Sequence, residues 1–253
     1  MDFLAYMYGL SKKRVNSIVV HNSGMRSRPV RSFVDALRGK GMRVIAEIKY
    51  ASPVDGDLGL EASPVELARD YERLGASAIS CLTEEAYFKG KPSFISEIGQ
   101  VTNLPILMKD FIVDSSQILL GFNMGADAYL LITEMLSMEE LRLLYHYGRS
   151  LGLDALVEIH SMEGLRKAMK LSARIIGINA RDLSTLKVVT TKHEEMIKHL
   201  PREVIKVAES GVNSADRLLE LEDMGYDAAL VGRAMSDTQK RKEILSCGSR
   251  YAG

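Results

Sequence analysis

The chain has 253 residues, 46% of them hydrophobic and 26% charged, and its 33 basic side chains balance its 33 acidic ones. Such a composition is typical of a globular protein, and the zero net charge argues against a nucleic acid or an anionic membrane as partner. The two widely separated cysteines, Cys81 and Cys247, suggest neither a disulfide framework nor a metal site, and no apolar run reaches the length of a membrane span. We therefore expect a soluble, cytoplasmic protein that acts on a small metabolite.

The first part of the chain, 1–42, is predicted to form an N-terminal helical extension. Its basic residues are scattered, and apolar side chains recur at helical spacing from Phe33 to Leu37 before Gly39 and Gly41 end the pattern. The remainder, 43–253, is predicted to form a single catalytic domain.

Eight short apolar runs follow, each too short for a typical helix and bounded by turn or cap residues. The predicted strands are 43–49, 78–83, 105–111, 128–133, 154–159, 174–180, 204–209 and 228–232. The segments between them carry helix signals. Capping boxes are predicted at 63–66, 137–140 and 191–194, and Gly75, Gly125 and Gly225 each stand between a helix and a strand.

Strand and helix alternate with a period of roughly 25 residues, and this pattern requires parallel strands joined by helical crossovers. Eight such units are the number that closes an α/β fold of the (β/α)8 TIM-barrel type. A doubly wound open sheet is the alternative. It is disfavoured because the first strand is followed by Ser-Pro-Val-Asp-Gly at 52–56 rather than by a glycine-rich dinucleotide fingerprint.

Charged residues interrupt the first strand. Glu47 and Lys49 lie two residues apart, so they face the same side of a strand that is otherwise mostly apolar. An unpaired charge removed from water costs several kcal/mol, and a Glu–Lys ion pair at the strand end is one explanation for the pattern. A functional explanation requires that other strands end in the same way.

Four later strands do end with polar residues. These are Lys109, Glu158, Asn179 with Arg181, and Glu209 with Ser210. In a barrel these carboxyl-terminal ends converge on one mouth, where enzymes of this fold build their active sites. A stabilising ion network at the rim is the alternative, but it would not require a bias toward the carboxyl-terminal ends.

These residue types support acid and base catalysis. Lysines and glutamates in a partly dehydrated pocket can hold their pKa values apart and so supply an acid and a base without a metal or a cofactor. A lysine that forms a Schiff base is the alternative, with Lys49 or Lys109 as the candidate. The histidines, His160 among them, are predicted to lie on helices or loops away from the inward strand ends, and they are given no role.

The ends of the last two strands, at 209–211 and 231–235, are predicted to bind phosphate. They place small residues and backbone N–H groups where barrels of this kind commonly hold a phosphate, so a phosphorylated substrate is expected. The candidate residues are Gly211, Gly232 and Arg233. The guanidinium of Arg233 can add a contact to the phosphate, or it can turn outward to a carboxylate such as Asp237.

Several of these strand ends belong to longer motifs. They are Ile45-Ala-Glu-Ile-Lys49, Lys109-Asp-Phe111, Gly177-Ile-Asn-Ala-Arg-Asp-Leu183 and Ala208-Glu-Ser-Gly211. In this order the motifs resemble the indole-3-glycerol phosphate synthase family over nearly the whole predicted barrel. The resemblance implies a carboxy-lyase of tryptophan biosynthesis. Its substrate would be a phosphorylated derivative of anthranilate, 1-(2-carboxyphenylamino)-1-deoxyribulose 5-phosphate, and its products indole-3-glycerol phosphate, carbon dioxide and water.

The resemblance also implies roles for the charged residues. Lys109 is implied as the general acid that polarises the ketone during ring closure, with Glu158 and Asn179 stabilising the charged intermediate. Glu158 is further implied in the removal of the hydroxyl as water, Glu47 as another acid or base, and Lys49 in binding the carboxylate. Which of Lys49, Glu47 and Glu158 acts in the dehydration stays open.

Other residues are implied in binding. Glu209 and Ser210 would hold substrate hydroxyls. The aromatic ring would contact Phe88, Phe111 and Leu130, and the substrate or its phosphate would be bound by Ser52, Arg181, Leu183, Gly211 and Gly232. On the residues alone, aromatics such as Phe88 and Phe111 are more often ordinary wall or core residues than contacts to a substrate ring, and Phe111 is the better candidate of the two.

Three features depart from the usual pattern of that family. Val54 replaces a second serine after the first strand, and Arg233 follows Gly232 where serine or glutamate is common. The N-terminal segment has no tryptophan, so any aromatic contact from the extension must come from the residues Phe3, Tyr6 or Tyr8.

Two other functions are compatible with parts of this pattern. A different phosphate-binding barrel, such as an isomerase of an aminated sugar phosphate, would share the last two strand ends but would not need Glu47, Lys49 and Lys109 together. A non-catalytic barrel that binds a phosphorylated metabolite or a partner enzyme would be expected to lack at least one charged strand end. The sequence leaves open a monomer as well as an association with another enzyme of the pathway.

Overall fold

A closed barrel of eight parallel strands forms the centre of the computed structural model, which describes residues 3–18, 26, 28–182 and 185–248. The strands are β1 (Arg43–Ile48), β2 (Ala51–Ser52), β3 (Gly56–Asp57), β4 (Ala78–Leu82), β5 (Ile106–Lys109), β6 (Ala128–Ile132), β7 (Asp154–Ile159), β8 (Ile175–Asn179), β9 (Ile205–Glu209) and β10 (Ala228–Val231). The short strands β2 and β3 pair antiparallel as a separate hairpin. The others follow one another around the barrel in chain order, and β1 closes it by pairing with both β4 and β10.

Each predicted apolar run forms one strand of this barrel, so the (β/α)8 prediction is confirmed and the open-sheet alternative is wrong. The register of the parallel strands brings their polar ends to similar heights. In β8 and β9, Asn179 is the direct partner of Glu209, and in β6 and β7, Ile132 is the partner of Glu158. The predicted strand ends therefore meet at one end of the barrel.

Helices precede, connect and follow the barrel strands. They are α1 (Phe3–Val15), α2 (Phe33–Ala36), α3 (Pro64–Arg73), α4 (Ser93–Gly99), α5 (Ser115–Met124), α6 (Met138–Ser150), α7 (Met162–Lys170), α8 (Thr191–Ile197), α9 (Ala215–Asp223) and α10 (Thr238–Gly248), with a 3-10 turn at Arg233–Ser236. No helix among the described residues is both long enough and apolar enough to cross a membrane.

Two of the three predicted capping boxes are present. Ser63 and Ser137 each accept a hydrogen bond from the backbone three residues later and begin α3 and α6. The third prediction, at Thr191, is wrong: the chain is already helical at Thr190, with φ −64° and ψ −21°, and no side chain caps α8. A capping side chain needs the extended backbone that precedes a helix, and Thr191 lies one residue inside it.

Apolar side chains fill the barrel on both sides of its wall. One cluster lies inside and includes Ile45, Leu107, Leu156 and Val207, and a larger one lies between strands and helices. Each fully buried aliphatic side chain contributes about 1.5–3 kcal/mol relative to an exposed one, so both layers stabilise the barrel. Because the interior is a packed core, polar groups are accommodated at the strand ends.

The helix α1 lies at the carboxyl-terminal end of the barrel. Its side chains Leu4 and Met7 are buried and belong to the inner apolar cluster. Near the other end of the helix, Arg14 pairs with Asp110, which directly follows β5. The extension therefore covers part of the barrel end at which the polar residues converge.

The helix α2 lies at the opposite end of the barrel, where β7 begins. The carboxylate of Asp154 accepts hydrogen bonds from the backbone N–H groups of Phe33 and Val34, each at 3.1 Å. These bonds satisfy donors that a helix start leaves without an intrahelical partner. The division into an extension and a barrel at residue 42 stays a prediction.

Candidate active site

A cavity of about 730 Å³ opens at the carboxyl-terminal ends of the strands, and every barrel strand or the residues directly after it contribute to its wall. The α1 residues Phe3 and Leu4 complete part of this wall. A volume in this range is typical of pockets that enclose a small molecule. The cavity is therefore the candidate active site.

The cavity wall brings together the residues that the sequence singled out. It contains Glu47, Lys49, Lys109, Glu158, Asn179, Glu209 and Ser210, and also Ser52, Phe88, Phe111, Leu130, Arg181, Gly211, Gly232 and Arg233. Leu183 lies outside the described residues. A set of polar groups around one open volume has the arrangement of a binding site, and an ion network that only stabilised the rim would not require that volume.

Two lysines bind the carboxylate of Glu47. The Nζ atom of Lys109 lies 3.0 Å from Oε2 of Glu47, and the Nζ atom of Lys49 lies 2.8 Å from Oε1. Burial alone would raise the pKa of Glu47, but the positive charges of Lys109 and Lys49 outweigh this effect and lower the pKa to about 2. Glu47 is therefore ionised near neutral pH and holds both ammonium groups at the cavity wall.

Three carboxyl groups stabilise the charge of Lys109. Burial would lower the pKa of this ammonium group, but the neighbouring carboxyl groups of Glu47, Glu209 and Glu158, of which Glu47 and Glu158 are ionised, raise the pKa above its usual value. Lys109 thus carries its proton near neutral pH and can act as an acid. A Schiff base would require the neutral amine, so the geometry favours the acid over the Schiff-base alternative at Lys109.

Glu158 and Glu209 are neighbouring carboxyl groups with different proton affinities. Burial and the negative charge of Glu158 raise the pKa of Glu209 well above its usual value, and its two oxygens make no hydrogen bond of ordinary geometry to a described group. Burial also opposes ionisation of Glu158, but the hydrogen bond and charge of His160 lower its pKa to about 2. A proton shared by this pair therefore resides on Glu209.

Two glycines leave the space that these charged groups occupy. A Cβ atom on Gly177, in β8, would overlap Oε1 of Glu209. A Cβ atom on Gly232 would overlap Oε1 of Glu47 and lie 2.8 Å from Nζ of Lys49. Gly232, expected from the sequence to bind phosphate, thus also makes room for an ion pair.

The amide of Asn179 is fixed at the end of β8. Its Oδ1 atom accepts hydrogen bonds from the hydroxyl of Ser210 at 2.8 Å and from the backbone N–H of Arg181 at 3.0 Å. Ser210 and Gly211 form a left-handed turn with φ angles of 65° and 80°. This conformation is uncommon for a residue with a side chain, and it ends β9 at the cavity wall.

Two arginines at the cavity contact other parts of the protein. The Nη1 atom of Arg181 donates to the carbonyl oxygen of Leu186 at 2.7 Å. The Nη1 atom of Arg233 lies 3.2 Å from Oδ1 of Asp55, which belongs to the loop between β2 and β3. Arg233 is 75% exposed, so this ion pair contributes little to stability and can exchange for another anion.

Aromatic rings form another part of the cavity wall. The ring centroids of Phe88 and Phe111 lie 6.1 Å apart, and Phe3 of α1 packs edge-on against Phe111 at 6.0 Å. Of the aromatic candidates in the extension, Phe3 reaches the cavity, whereas Tyr6 and Tyr8 contact other side chains. These rings suit a flat apolar group.

His160, which was given no role from the sequence, contacts a group of the site. Its Nε2 atom lies 2.6 Å from Oε1 of Glu158, and only 8% of the residue is exposed. His160 lies directly after β7 and outside the strand, as expected, but its ring reaches the strand end that carries Glu158. A signal existed, because a residue two positions after Glu158 on an extended chain faces the same side.

Comparisons with known proteins agree on a family and on a fold. A family profile described as indole-3-glycerol phosphate synthase matches residues 10–246. A curated indole-3-glycerol phosphate synthase from Aliarcobacter butzleri is 42% identical over 221 residues, which cover 87% of this chain and 84% of the relative. Another, from Campylobacter hominis, is 42% identical over 226 residues and 87% of each chain.

Two solved structures show the same fold at low sequence identity. An N-acetylmannosamine-6-phosphate 2-epimerase from Clostridium perfringens aligns with a TM-score of 0.62 and 18% identity, covering 85% of this chain and 96% of that chain. A thiamine phosphate pyrophosphorylase from Pyrococcus furiosus aligns with a TM-score of 0.64 and 16% identity, covering 88% of this chain and 100% of that chain. At such identities the likeness is one of fold alone.

Proposed function

Because this chain belongs to the indole-3-glycerol phosphate synthase family, we propose that the cavity closes the indole ring of 1-(2-carboxyphenylamino)-1-deoxyribulose 5-phosphate. The products are indole-3-glycerol phosphate, carbon dioxide and water, and the reaction belongs to tryptophan biosynthesis. The observation that best supports assigning the chemistry to this cavity is Lys109, a partly buried ammonium group held 3.0 Å from Glu47 among further carboxyl groups.

Lys109 is the proposed general acid of the ring closure. Negative charge develops on the ketone oxygen as the new carbon–carbon bond forms, and a positioned ammonium group stabilises it and can donate a proton. Glu47 holds Lys109 in place and is itself ionised. Glu158 and Asn179 also line the cavity, where a carboxylate and an amide can stabilise the positive charge of the intermediate.

Lys49 is the proposed partner of the substrate carboxylate until carbon dioxide leaves. Its ammonium group lines the cavity and is held by Glu47 at 2.8 Å. For the final dehydration, Glu158 is ionised and suits a base, whereas Glu209 retains a proton and suits a donor to a substrate hydroxyl. Ser210 lies next to Glu209 and is the second proposed hydroxyl partner.

The aromatic part of the substrate is proposed to lie against Phe88, Phe111 and Leu130, which line one region of the cavity. The phosphate is proposed to lie near Gly211, Gly232 and Arg233, with Ser52 and Arg181 close to the same opening. We also propose a cytoplasmic location, which is supported by two buried free cysteines and by a biosynthetic reaction on a small phosphorylated metabolite.

The direct test of this function is to supply the carboxyphenylamino sugar phosphate to the purified protein and follow formation of the indole by its ultraviolet absorbance or fluorescence. We expect turnover that saturates with substrate and releases one carbon dioxide per indole. A well-folded protein that forms no indole would rule out the proposed function.

We expect the substitution Arg233→Ser to raise KM by about ten- to hundredfold and to leave kcat nearly unchanged. One charge-assisted contact to the phosphate would be lost, and the phosphate is remote from the ring that closes. Michaelis kinetics at low and moderate salt measure this effect, with the exposed Arg202→Ser as the control. An unchanged KM would mean that the guanidinium stays with Asp55 when substrate binds.

We expect the substitution Gly177→Ala to lower kcat by about ten- to hundredfold. The new methyl group must displace the carboxyl group of Glu209, and small displacements of a reacting group have effects of this order. The matched control is Gly9→Ala, because a Cβ atom there meets no atom within 4 Å. Equal kcat values for the two variants would argue against a role for Glu209 in turnover.

A further inference from the structure

The ring of His160 lies behind a residue of the site. Glu158 lines the cavity, whereas His160 is not among the lining residues. The Nε2 atom of His160 nevertheless lies 2.6 Å from Oε1 of Glu158. Both residues are buried, with exposed fractions of 8% and 3%. The imidazole therefore acts on a bound molecule through Glu158.

The second ring nitrogen determines how protons are arranged in this contact. The Nδ1 atom of His160 lies 3.0 Å from the backbone carbonyl oxygen of Arg181, which can only accept a hydrogen bond, so Nδ1 carries a hydrogen. At Nε2 two states remain. The ring is an imidazolium that donates to an ionised Glu158, or the ring is neutral and a protonated Glu158 donates to it.

The surrounding charges decide between these states. Lys109, from β5, stabilises the negative form of Glu158, and Glu134, from the loop after β6, stabilises the positive form of His160. Glu209, from β9, further lowers the pKa of Glu158 through a side-chain hydrogen bond, and its own pKa is raised well above its usual value by burial and by the negative charge of Glu158. Burial opposes both charges, and the mutual interaction of Glu158 and His160 outweighs it.

Glu134 also fixes the backbone that carries the imidazole. Its Oε1 atom accepts hydrogen bonds from the backbone N–H of His160 at 2.9 Å and from the hydroxyl of Ser161 at 2.8 Å. Together with the carbonyl of Arg181, these contacts hold the ring from the residues that follow β6 and β8, the two strands on either side of β7. The position of Nε2 against Glu158 is thus set by the protein before any substrate binds.

We propose that His160 is a positioning residue of the synthase reaction, which keeps Glu158 ionised and oriented as the base and thereby leaves the proton of the carboxyl pair on Glu209. This inference rests on the proposed function for its kinetic consequences, but the protonation state of the ring exists independently of turnover. One experiment therefore measures the ring itself, and a second measures catalysis.

The first experiment is nitrogen-15 NMR of the histidine side chains in the unliganded wild-type protein. At pH 7 we expect both ring nitrogens of His160 to carry hydrogen, and we expect the ring to become neutral at the same pH in Glu158→Gln. A neutral His160 ring in the wild-type protein at pH 7 would overturn the proposal. This result stands even if the protein forms no indole, in which case only the proposed function fails.

The second experiment compares pH profiles of kcat for the wild type, His160→Gln and the control His199→Gln, which alters an exposed histidine. Glutamine can still donate a hydrogen bond to Glu158 but carries no positive charge. The pKa of Glu158 would rise, so the acid-side loss of activity should move upward by about one to three pH units. We expect the midpoint of this loss in the control variant to stay at the wild-type pH.

Because His160 does not touch the substrate, its replacement should change KM by no more than about twofold. An acid-side loss of activity at the wild-type pH in His160→Gln would overturn the proposal, because Glu158 would then be ionised without the imidazolium. If the variant does not fold, the NMR measurement on the wild-type protein decides the question.

Discussion

We expect Lys109→Met to lower kcat by about 10²- to 10⁴-fold, which is the usual contribution of a positioned acid. Methionine has nearly the same length and fits an apolar strand end, but it neither donates a proton nor carries a charge. Of the three carboxyl groups that act on Lys109, Glu47 keeps Lys49 as its partner at 2.8 Å. The variant should therefore stay folded while turnover collapses.

The measurement for Lys109→Met is single-turnover and steady-state formation of indole, together with thermal unfolding. Lys198→Met, which removes an exposed lysine, is the matched control and should retain wild-type kinetics. A rate within a few-fold of the wild type would exclude Lys109 as an essential acid. In that case Lys49 would be the next candidate, because it is held by the same carboxylate.

We expect Glu158→Gln to lower kcat by about 10²- to 10⁴-fold at neutral pH, because a carboxamide cannot act as a base. The effect on stability should be small, with a change of about 1 kcal/mol or less in the free energy of unfolding. The amide keeps the volume of the side chain, and His160 can release its proton, so neither member of the pair is left as an unpaired charge. Loss of two buried charges together is far less costly than loss of one.

Kinetics and urea unfolding of Glu158→Gln test this expectation, with the exposed Glu139→Gln as the control. The outcome that contradicts it is a variant with full activity and much lower stability. Glu158 would then be a member of a structural ion pair with His160 and would have no part in the reaction.

Much of the fold could be predicted because strand periodicity and helix caps are local signals. The apolar runs appear as barrel strands with ends shifted by no more than two residues, and Gly75, Gly125 and Gly225 have the positive φ angles expected where a helix stops. The failed capping box at Thr191 shows the limit of such signals. Its letters fit the motif, but whether the preceding residue is extended or helical depends on how the loop after β8 packs.

The candidate site was partly predictable for a different reason. Charges such as Glu47 and Lys109 are conspicuous in apolar strands, because burial of a charge needs compensation. The side chains that contact the polar residues of the site were harder to predict from the sequence. That Arg233 pairs with Asp55 depends on side-chain directions across loops, which no periodic pattern relates. The contact of His160 with Glu158 had a signal in their spacing of two residues, but the sequence did not show that the extended backbone continues past the end of β7.

The charged groups and the aromatic wall of the cavity come from different parts of the chain, because α1 contributes to the wall. The acidic and basic groups that the proposed reaction uses come from the barrel strands and the residues directly after them, whereas Phe3, which completes the aromatic wall, comes from α1. A design that used the barrel without α1 as its scaffold would therefore keep the charged residues. It would lack Phe3 and so part of the surface that contacts the aromatic ring. Ring size and shape could then be selected by redesigning a single N-terminal helix, while the strands that hold the charged residues remain untouched.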